Sequence, residues 1–187
     1  MRNTAIILTL CIAGLWGCAT WSGVGGPYTE NSKNFRVDLP SGWHKYNRVR
    51  DALMITKDGL PLQQIKIVQI SVDKELAHTK KKLSEKMLPH EAAELVVDNF
   101  RSNPNLLNQE ILENSPAQVS NQNGFKIVCT YETKGGLPKK AAIYGLLDGN
   151  WYYEMIYEAP QRWYFHHDLP AFENVAQSFQ LIKSAGQ

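Results

Sequence analysis

Four dipeptides, Asp58-Gly59, Asn123-Gly124, Gly135-Gly136 and Asp148-Gly149, each stand between runs rich in β-branched and aromatic residues. Such pairs adopt the positive φ angles that two-residue hairpin turns require, so their placement predicts antiparallel hairpins. The runs are Phe35–Leu39, Trp43–Arg48, Ala52–Lys57, Leu62–Val72, Asn108–Ser120, Phe125–Lys134, Lys139–Leu147 and Trp151–Glu158. Phe125, Ile127, Cys129 and Tyr131 share one strand face, and Trp151, Tyr153, Met155 and Tyr157 oppose Tyr152, Glu154, Ile156 and Glu158. Within Leu62–Val72 the apolar parity switches from Ile65 and Ile67 to Val68, Ile70 and Val72, which predicts either a bulge or cover on both faces.

Two segments carry the other period. From His90 to Arg101, Ala93, Val96, Val97 and Phe100 recur at helical spacing behind Pro89, with Glu91 and Glu94 near the positive N-terminal end. From Leu169 to about Leu181, Phe172, Val175, Ala176 and Phe179 form a stripe, with Asp168 as the expected N-cap. Residues 74–87 are expected to add a weaker helical turn or two. Hairpins interrupted by one helix and closed by another describe an α+β domain, an antiparallel β-sheet with helices packed on its faces.

The first segment is set aside before the fold is judged. Met1-Arg2-Asn3 is a short basic start, and Thr4–Trp16 is an uncharged, mostly apolar run of thirteen residues. A bilayer span needs about 20. Leu15-Trp16-Gly17-Cys18 follows and resembles a bacterial lipobox: a branched apolar residue at −3, a small residue at −1 and the cysteine that receives the lipid. Trp16 departs from the small residue usual at −2. The resemblance implies a signal peptide over 1–17 and an acylated Cys18, with palmitate-type chains. It also implies export to the cell envelope and, if the source is diderm, favours the periplasmic face of the outer membrane, because Ala19 rather than Asp follows the cysteine. Residues 18–33, rich in Gly, Ser and Thr after the cysteine, are expected to be a flexible tether. A single domain over 34–182 and a tail at 183–187 complete the organisation. About 150 residues suffice to bury a core, roughly 68–70% of the unfolded surface.

Composition narrows function. Lys+Arg 20 against Asp+Glu 18 gives a net charge of +2, too little basic excess for a nucleic-acid binder. With Cys11 in the leader and Cys18 acylated, Cys129 is the one thiol left of three, so no disulfide framework is expected. Phosphate loops, zinc-protease and nucleophile-elbow motifs are all missing; Gly23-Val24-Gly25-Gly26 lacks a phosphate loop's spacing. Glu154 and Glu158 share a strand face but lie roughly 13 Å apart, whereas glycosidase carboxylate pairs sit about 5–9.5 Å apart.

Phe35-Arg36-Val37-Asp38-Leu39-Pro40-Ser41-Gly42-Trp43 resembles the opening strand and turn of the PsbP-like fold, and Phe172–Phe179 resembles its closing helix. That fold is shared by the photosystem protein PsbP, a nuclear Ran-binding protein and bacterial lipoproteins similar to DcrB. The resemblance spans about residues 34–182 and implies an α/β/α sandwich. It offers no shared catalytic motif, and its members being mostly binding or assembly factors implies a non-enzymatic role.

Three clusters remain. Trp163-Tyr164-Phe165 follows Arg162 in an expected loop, and exposed loop aromatics beside Arg compose a binding hot spot. Tyr152, which shares its strand face with Glu154, Ile156 and Glu158, is expected at a partly wet edge or groove. Arg162, Trp163, Tyr164 and Tyr152 are therefore the candidate contacts for a protein partner or small ligand. His166-His167-Asp168 brings together metal-ligand residue types, which leaves a small envelope enzyme or metal-handling protein as the alternative. Lys80-Lys81-Lys82 with Lys86 is a basic run, read first as a solvated face and second as a headgroup contact. The reading favours a non-catalytic lipoprotein without cofactor, held to a membrane by its anchor and serving envelope assembly or maintenance. Replacing Cys18→Ser should move the protein from the membrane to the soluble exported fraction on sedimentation. A full-length variant that stays membrane-bound contradicts the anchor.

Overall fold

The structure, a computed structural model, describes residues 20–182. The leader 1–17, Cys18 and the tail 183–187 lie outside the described residues. Nine strands form one antiparallel sheet: β1 Trp21–Glu30, β2 Phe35–Tyr46, β3 Ala52–Thr56, β4 Gln64–Ser71, β5 Leu106–Val119, β6 Gln122–Thr133, β7 Pro138–Asp148, β8 Trp151–Pro160 and the two-residue β9 Gln180–Leu181. Their spatial order is β1-β2-β3-β4-β8-β7-β6-β5, with β9 on β2. After β4 the chain crosses through α1, Pro89–Arg101, to the far edge and returns strand by strand to seat β8 against β4.

Each helix covers one face. α2, Tyr164–Ser178, packs with β2 over Ile55, Ile65, Ile67, Met155 and Tyr157, while α1 packs Ala93, Val96 and Val97 over Ile127, Cys129 and Ile143. The parity switch in β4 is resolved by cover on both faces. β4 pairs β8 without a register break; Ile65 and Ile67 belong to the α2-side core, and Ile70 and Val72 to the α1-side core. α1 begins where Pro89 predicts, and the Glu91 carboxylate accepts the Leu88 N–H at 2.8 Å, which satisfies one orphan donor of the first turn.

Four expectations are corrected. Asn123-Gly124 makes no turn: both residues pair within β6, opposite Gln118 and Ala117, and the β5–β6 turn is Ser120-Asn121, both at positive φ. Residues 20–32 are no tether: Trp21–Glu30 is a strand paired along β2, followed by a 3-10 turn at Asn31–Lys33. Its glycines serve a bend. Gly26 (φ 77°) and Gly42 (φ 78°) flank the register shift where β1 and β2 curl together, so what reads as flexible composition is backbone freedom spent on curvature. Residues 74–87 form no helix; Leu83 and Met87 pin an irregular segment onto the α1-side core, and Leu76 is buried as well. α2 starts at Tyr164, five residues before the expected Leu169, and carries Pro170 in its interior. Asp168 is therefore not its cap.

Gly145 of β7 faces Phe125 of β6, whose ring lies across it and also stacks near Tyr152 at 6.2 Å between centroids. A Cβ on Gly145 would lie 2.1 Å from Phe125 Cζ. Gly145→Ala should cost about 1–3 kcal/mol of stability, seen as a lower urea midpoint with an unchanged m-value. An unchanged midpoint contradicts this tight approach.

Candidate functional site

The 162–168 cluster occupies the start of α2, at the end of the sheet where β3 and β8 finish. The turn is fixed from beneath. Phe165 is buried and stacks on Tyr157 of β8 at 5.3 Å, and the Tyr157 hydroxyl donates to the carbonyls of Tyr164 at 2.8 Å and Phe165 at 3.3 Å. Lys140 Nζ lies 5.0 Å from the Phe165 ring centre. Burial, and then the charge of Asp168, raises the Tyr157 hydroxyl pKa well above its ordinary value, so it stays a donor.

Asp168 is the hub. Its buried carboxylate accepts from Lys57 Nζ at 3.2 Å on Oδ1 and from Gln63 Nε2 at 3.2 Å on Oδ2, and His167 Nδ1 lies 3.0 Å from Oδ1. Gln63 is fully buried and also bonds the Asp58 carboxylate at 2.7 Å, while its carbonyl accepts the Thr56 hydroxyl at 2.6 Å. The β3–β4 turn and the first turns of α2 are thereby locked together. On this base His167 stacks under the Trp163 indole, 4.3 Å between ring centres at 22°, and Tyr164 meets the indole edge-on at 4.9 Å. Trp163 is nonetheless 59% exposed, and Arg162 beside it is exposed. An indole held on two sides loses little freedom when it is covered.

The structure thus gathers Arg162, Trp163, Tyr164, His167 and Asp168 into one patch. It adds Lys57 and Gln63, which lie 111 and 105 residues from Asp168 and carry no local sequence signal. His166 turns to the edge of Phe165 instead, at 5.5 Å. Among the described residues, no three His, Cys, Asp or Glu side chains gather as metal ligands, and both Asp168 oxygens already carry donors. Tyr152 does not reach the patch and is no groove residue: it is fully buried on the α1 side of β8, its hydroxyl donating to Glu154 at 2.8 Å. Beside the turn, a cleft of about 180 Å³ is lined by Lys126, Lys140, Phe165, His166, Leu169 and Glu173 among others. A larger groove, about 290 Å³, runs between α1 and β5 past His90, Glu94, Asn114 and Gln118, and none of the candidate contact or metal-ligand residues lines it.

A second polar network lies on the opposite face of β8. Glu158 accepts from Gln64 Nε2 at 2.7 Å, the Tyr131 hydroxyl at 2.9 Å and Lys139 Nζ at 3.0 Å. Burial alone would raise its carboxyl, but the Lys139 charge and these hydrogen bonds outweigh it and hold the pKa below the ordinary value. Glu154 is the opposite case: burial raises its pKa more than the Tyr152 hydrogen bond and the Lys66 charge lower it. Cys129 is fully buried, and burial together with the charge of Glu158 pushes its thiol up to about 12, which keeps it protonated.

A family model described as PsbP matches residues 26–181. No curated protein sequence matches the chain. Among solved structures, cyanobacterial PsbP (CyanoP) from Synechocystis sp. PCC 6803 is similar with a TM-score of 0.54 and 12% identity, over 92% of this chain and 98% of that one. LpqN of Mycobacterium tuberculosis, a protein involved in cell envelope biogenesis, is similar with a TM-score of 0.57 and 11% identity, over 87% of this chain and 90% of that one. A Bacteroides thetaiotaomicron protein is similar with a TM-score of 0.55 and 10% identity; 87% of this chain is covered, but it spans only 50% of that protein's length. At such identities the likeness shows the fold alone.

The two glutamates should titrate against stability with opposite signs. A carboxyl lowered on folding stabilises the native state above its ordinary value of 4.5 and loses that contribution as pH falls through its lower native value. Glu158→Gln should therefore cost roughly 2–3 kcal/mol at pH 7, leaving Lys139 without its counter-charge, and the deficit should shrink below pH 4.5. A raised carboxyl works against folding once ionised, so Glu154→Gln should stabilise at pH 7 and match the parent below pH 4.5. Urea midpoints across pH 3–8 check both signs; parallel profiles for the two variants contradict the account.

Proposed function

The chain belongs to the PsbP family, and from that premise we propose that it is a non-catalytic lipoprotein of the cell envelope. It is held to a membrane through Cys18 and engages a protein partner with the first turn of α2. The observation that carries this reading is the state of Trp163: the most exposed large apolar side chain among the described residues, yet clamped by His167 and Tyr164 and flanked by Arg162. Large hydrophobic side chains are ordinarily left on a surface singly and loosely; one held rigid over a buried ion-pair hub is an anchor awaiting a pocket. The Asp168 network supplies the rigidity, since its groups are mutually satisfied and its nearest free face is aromatic.

The lipobox-like leader supports attachment to a membrane. Among the described residues no helix is long and apolar enough to cross one. The likeness to LpqN supports an envelope setting, because that protein is itself involved in cell envelope biogenesis. A metal-handling role for residues 166–168 is disfavoured by the orientation of His166, which leaves the carboxylate to Lys57, Gln63 and His167.

In-cell crosslinking followed by mass spectrometry tests the reading. Trp163→Ala and Arg162→Ala, each with unchanged urea midpoints, should lose a crosslinked partner that the parent chain retains. The Trp163 variant should bind that partner at least ~30-fold more weakly once it is purified, as expected of a hot-spot residue. Folded variants that recover the same adducts at the same yield contradict the proposal.

A further inference from the structure

The described chain is tied down from its first residue. The Thr20 carbonyl accepts the Asn47 N–H at 2.9 Å, and Thr20 Oγ1 accepts from Arg48 Nε at 3.3 Å. Trp21 pairs in register with Tyr46, their ring centres 4.7 Å apart, and the Ser22 hydroxyl donates to Asn47 Oδ1 at 3.3 Å. Only two residue steps separate Cys18 from Thr20, at most about 7 Å of chain. With an acyl group on Cys18, this corner of the domain is brought to headgroup depth, and the tether that would let it drift off is spent as strand.

The corner suits such a surface. Trp21 is 40% exposed, and Trp and Tyr favour the membrane–water interface. Arg48 and Arg50 are exposed, Lys33 Nζ reaches the Arg50 carbonyl at 3.0 Å, and Lys45 lies over the Tyr28 ring at 5.1 Å. No ion pair among the described residues uses any of these four cations. Asp51 is the exposed acid of the β2–β3 turn, and Glu30 is engaged by Tyr28 and Ser32. The basic run at 80–82 is differently disposed: Lys81 is paired with Asp98 at 3.0 Å, and Lys80 bonds the Ala77 carbonyl at 2.9 Å.

We propose that the corner made by Trp21, Tyr46, Arg48 and Arg50 docks on the anionic phospholipid surface of the membrane that carries the Cys18 anchor. The inference rests on the lipid-anchor reading and adds an orientation to it. Arg48 and Arg50 precede β3 and Lys57 follows it. The two arginines and the Asp168 hub therefore lie at opposite ends of that five-residue strand, about 16 Å at 3.3 Å per residue, with the Trp21–Tyr46 pair level with its middle. The Trp163 turn is thereby held away from the bilayer.

The full chain, extracted from membranes and reconstituted into phosphatidylethanolamine–phosphatidylglycerol vesicles containing a bromine-labelled lipid, tests this by tryptophan quenching. Intact mass on the same sample reports acylation of Cys18. Quenching should disappear in Trp21→Phe. Arg48→Ser with Arg50→Ser should shift docking by about 25-fold, roughly fivefold per cation, whereas Lys82→Ser with Lys86→Ser should leave it unchanged. An acylated chain whose emission is not quenched overturns docking and leaves the anchor intact. So does quenching that survives Trp21→Phe or that depends on Lys82 and Lys86. A mass without acyl chains overturns the anchor reading instead. The unacylated chain then decides docking by sedimentation with the same vesicles: binding that needs Arg48 and Arg50 supports it, and no binding overturns it.

Discussion

Eight successive residue pairs, from Gln64 against Glu158 to Ser71 against Trp151, join β4 to β8 and thereby join the two halves of the sheet. β1–β3 hang from one side of this seam and β5–β7 from the other. β8 bears the consequence: Tyr153, Met155, Tyr157 and Ala159 belong to the core under α2, and Tyr152 to the core under α1. A strand buried on both faces cannot slip by one residue without exchanging the side chains of both cores, so its register sets every other placement in the domain. The carboxylates on the same strand follow from that register. Glu154 and Glu158 face the α1 side at half burial, where each needs donors: Glu154 takes the Tyr152 hydroxyl, and Glu158 takes Gln64, Tyr131 and Lys139.

The same strand sets up the proposed contact surface. Tyr157, buried and forced to find a partner for its hydroxyl, takes the first carbonyls of α2, and Phe165 stacks on its ring. The helix therefore starts early, upstream of its internal Pro170, and carries Trp163 out over His167 and the Asp168 hub. A core requirement at β8 thus becomes an exposed and rigid indole at the surface. Several links in this chain are polar groups satisfied at burial, which cost most if broken and so confine the turn to one conformation.

Much of the fold was legible in the sequence because its signals are local. The turns at Asp58-Gly59, Gly135-Gly136 and Asp148-Gly149, the alternation of Phe125–Tyr131 and Trp151–Glu158, and the Pro89 helix start each depend on a few neighbours, and each recurs in the structure. Asn123-Gly124 instead lies two residues past the true β5–β6 turn. The parity switch of β4 was equally plain once both faces proved to be covered. What the sequence hid is what depends on distant partners or on backbone freedom. β1 carries two inward side chains, Val24 and Tyr28, in ten residues, too few to stand out from a Gly- and Ser-rich run, and its pairing comes from β2. Tyr152 reads as groove-facing from its strand parity, yet Phe125 and Val72 from other elements close over that face. Asp168 reads as a cap because it precedes the apolar stripe of α2; only the approach of Lys57 and Gln63 makes it a hub.

The account gives the two ends of β3 two tasks, a basic and aromatic corner for the membrane and a clamped indole for a partner. Hydrogen–deuterium exchange of the full chain, in detergent and then on phosphatidylglycerol-containing vesicles, separates them directly. The account predicts added protection on vesicles over residues 20–24 and 45–51 with none over 161–167. Protection of 161–167 by bare lipid, with the β1 corner unchanged, would make the aromatic turn the membrane surface and contradict the assignment of both ends.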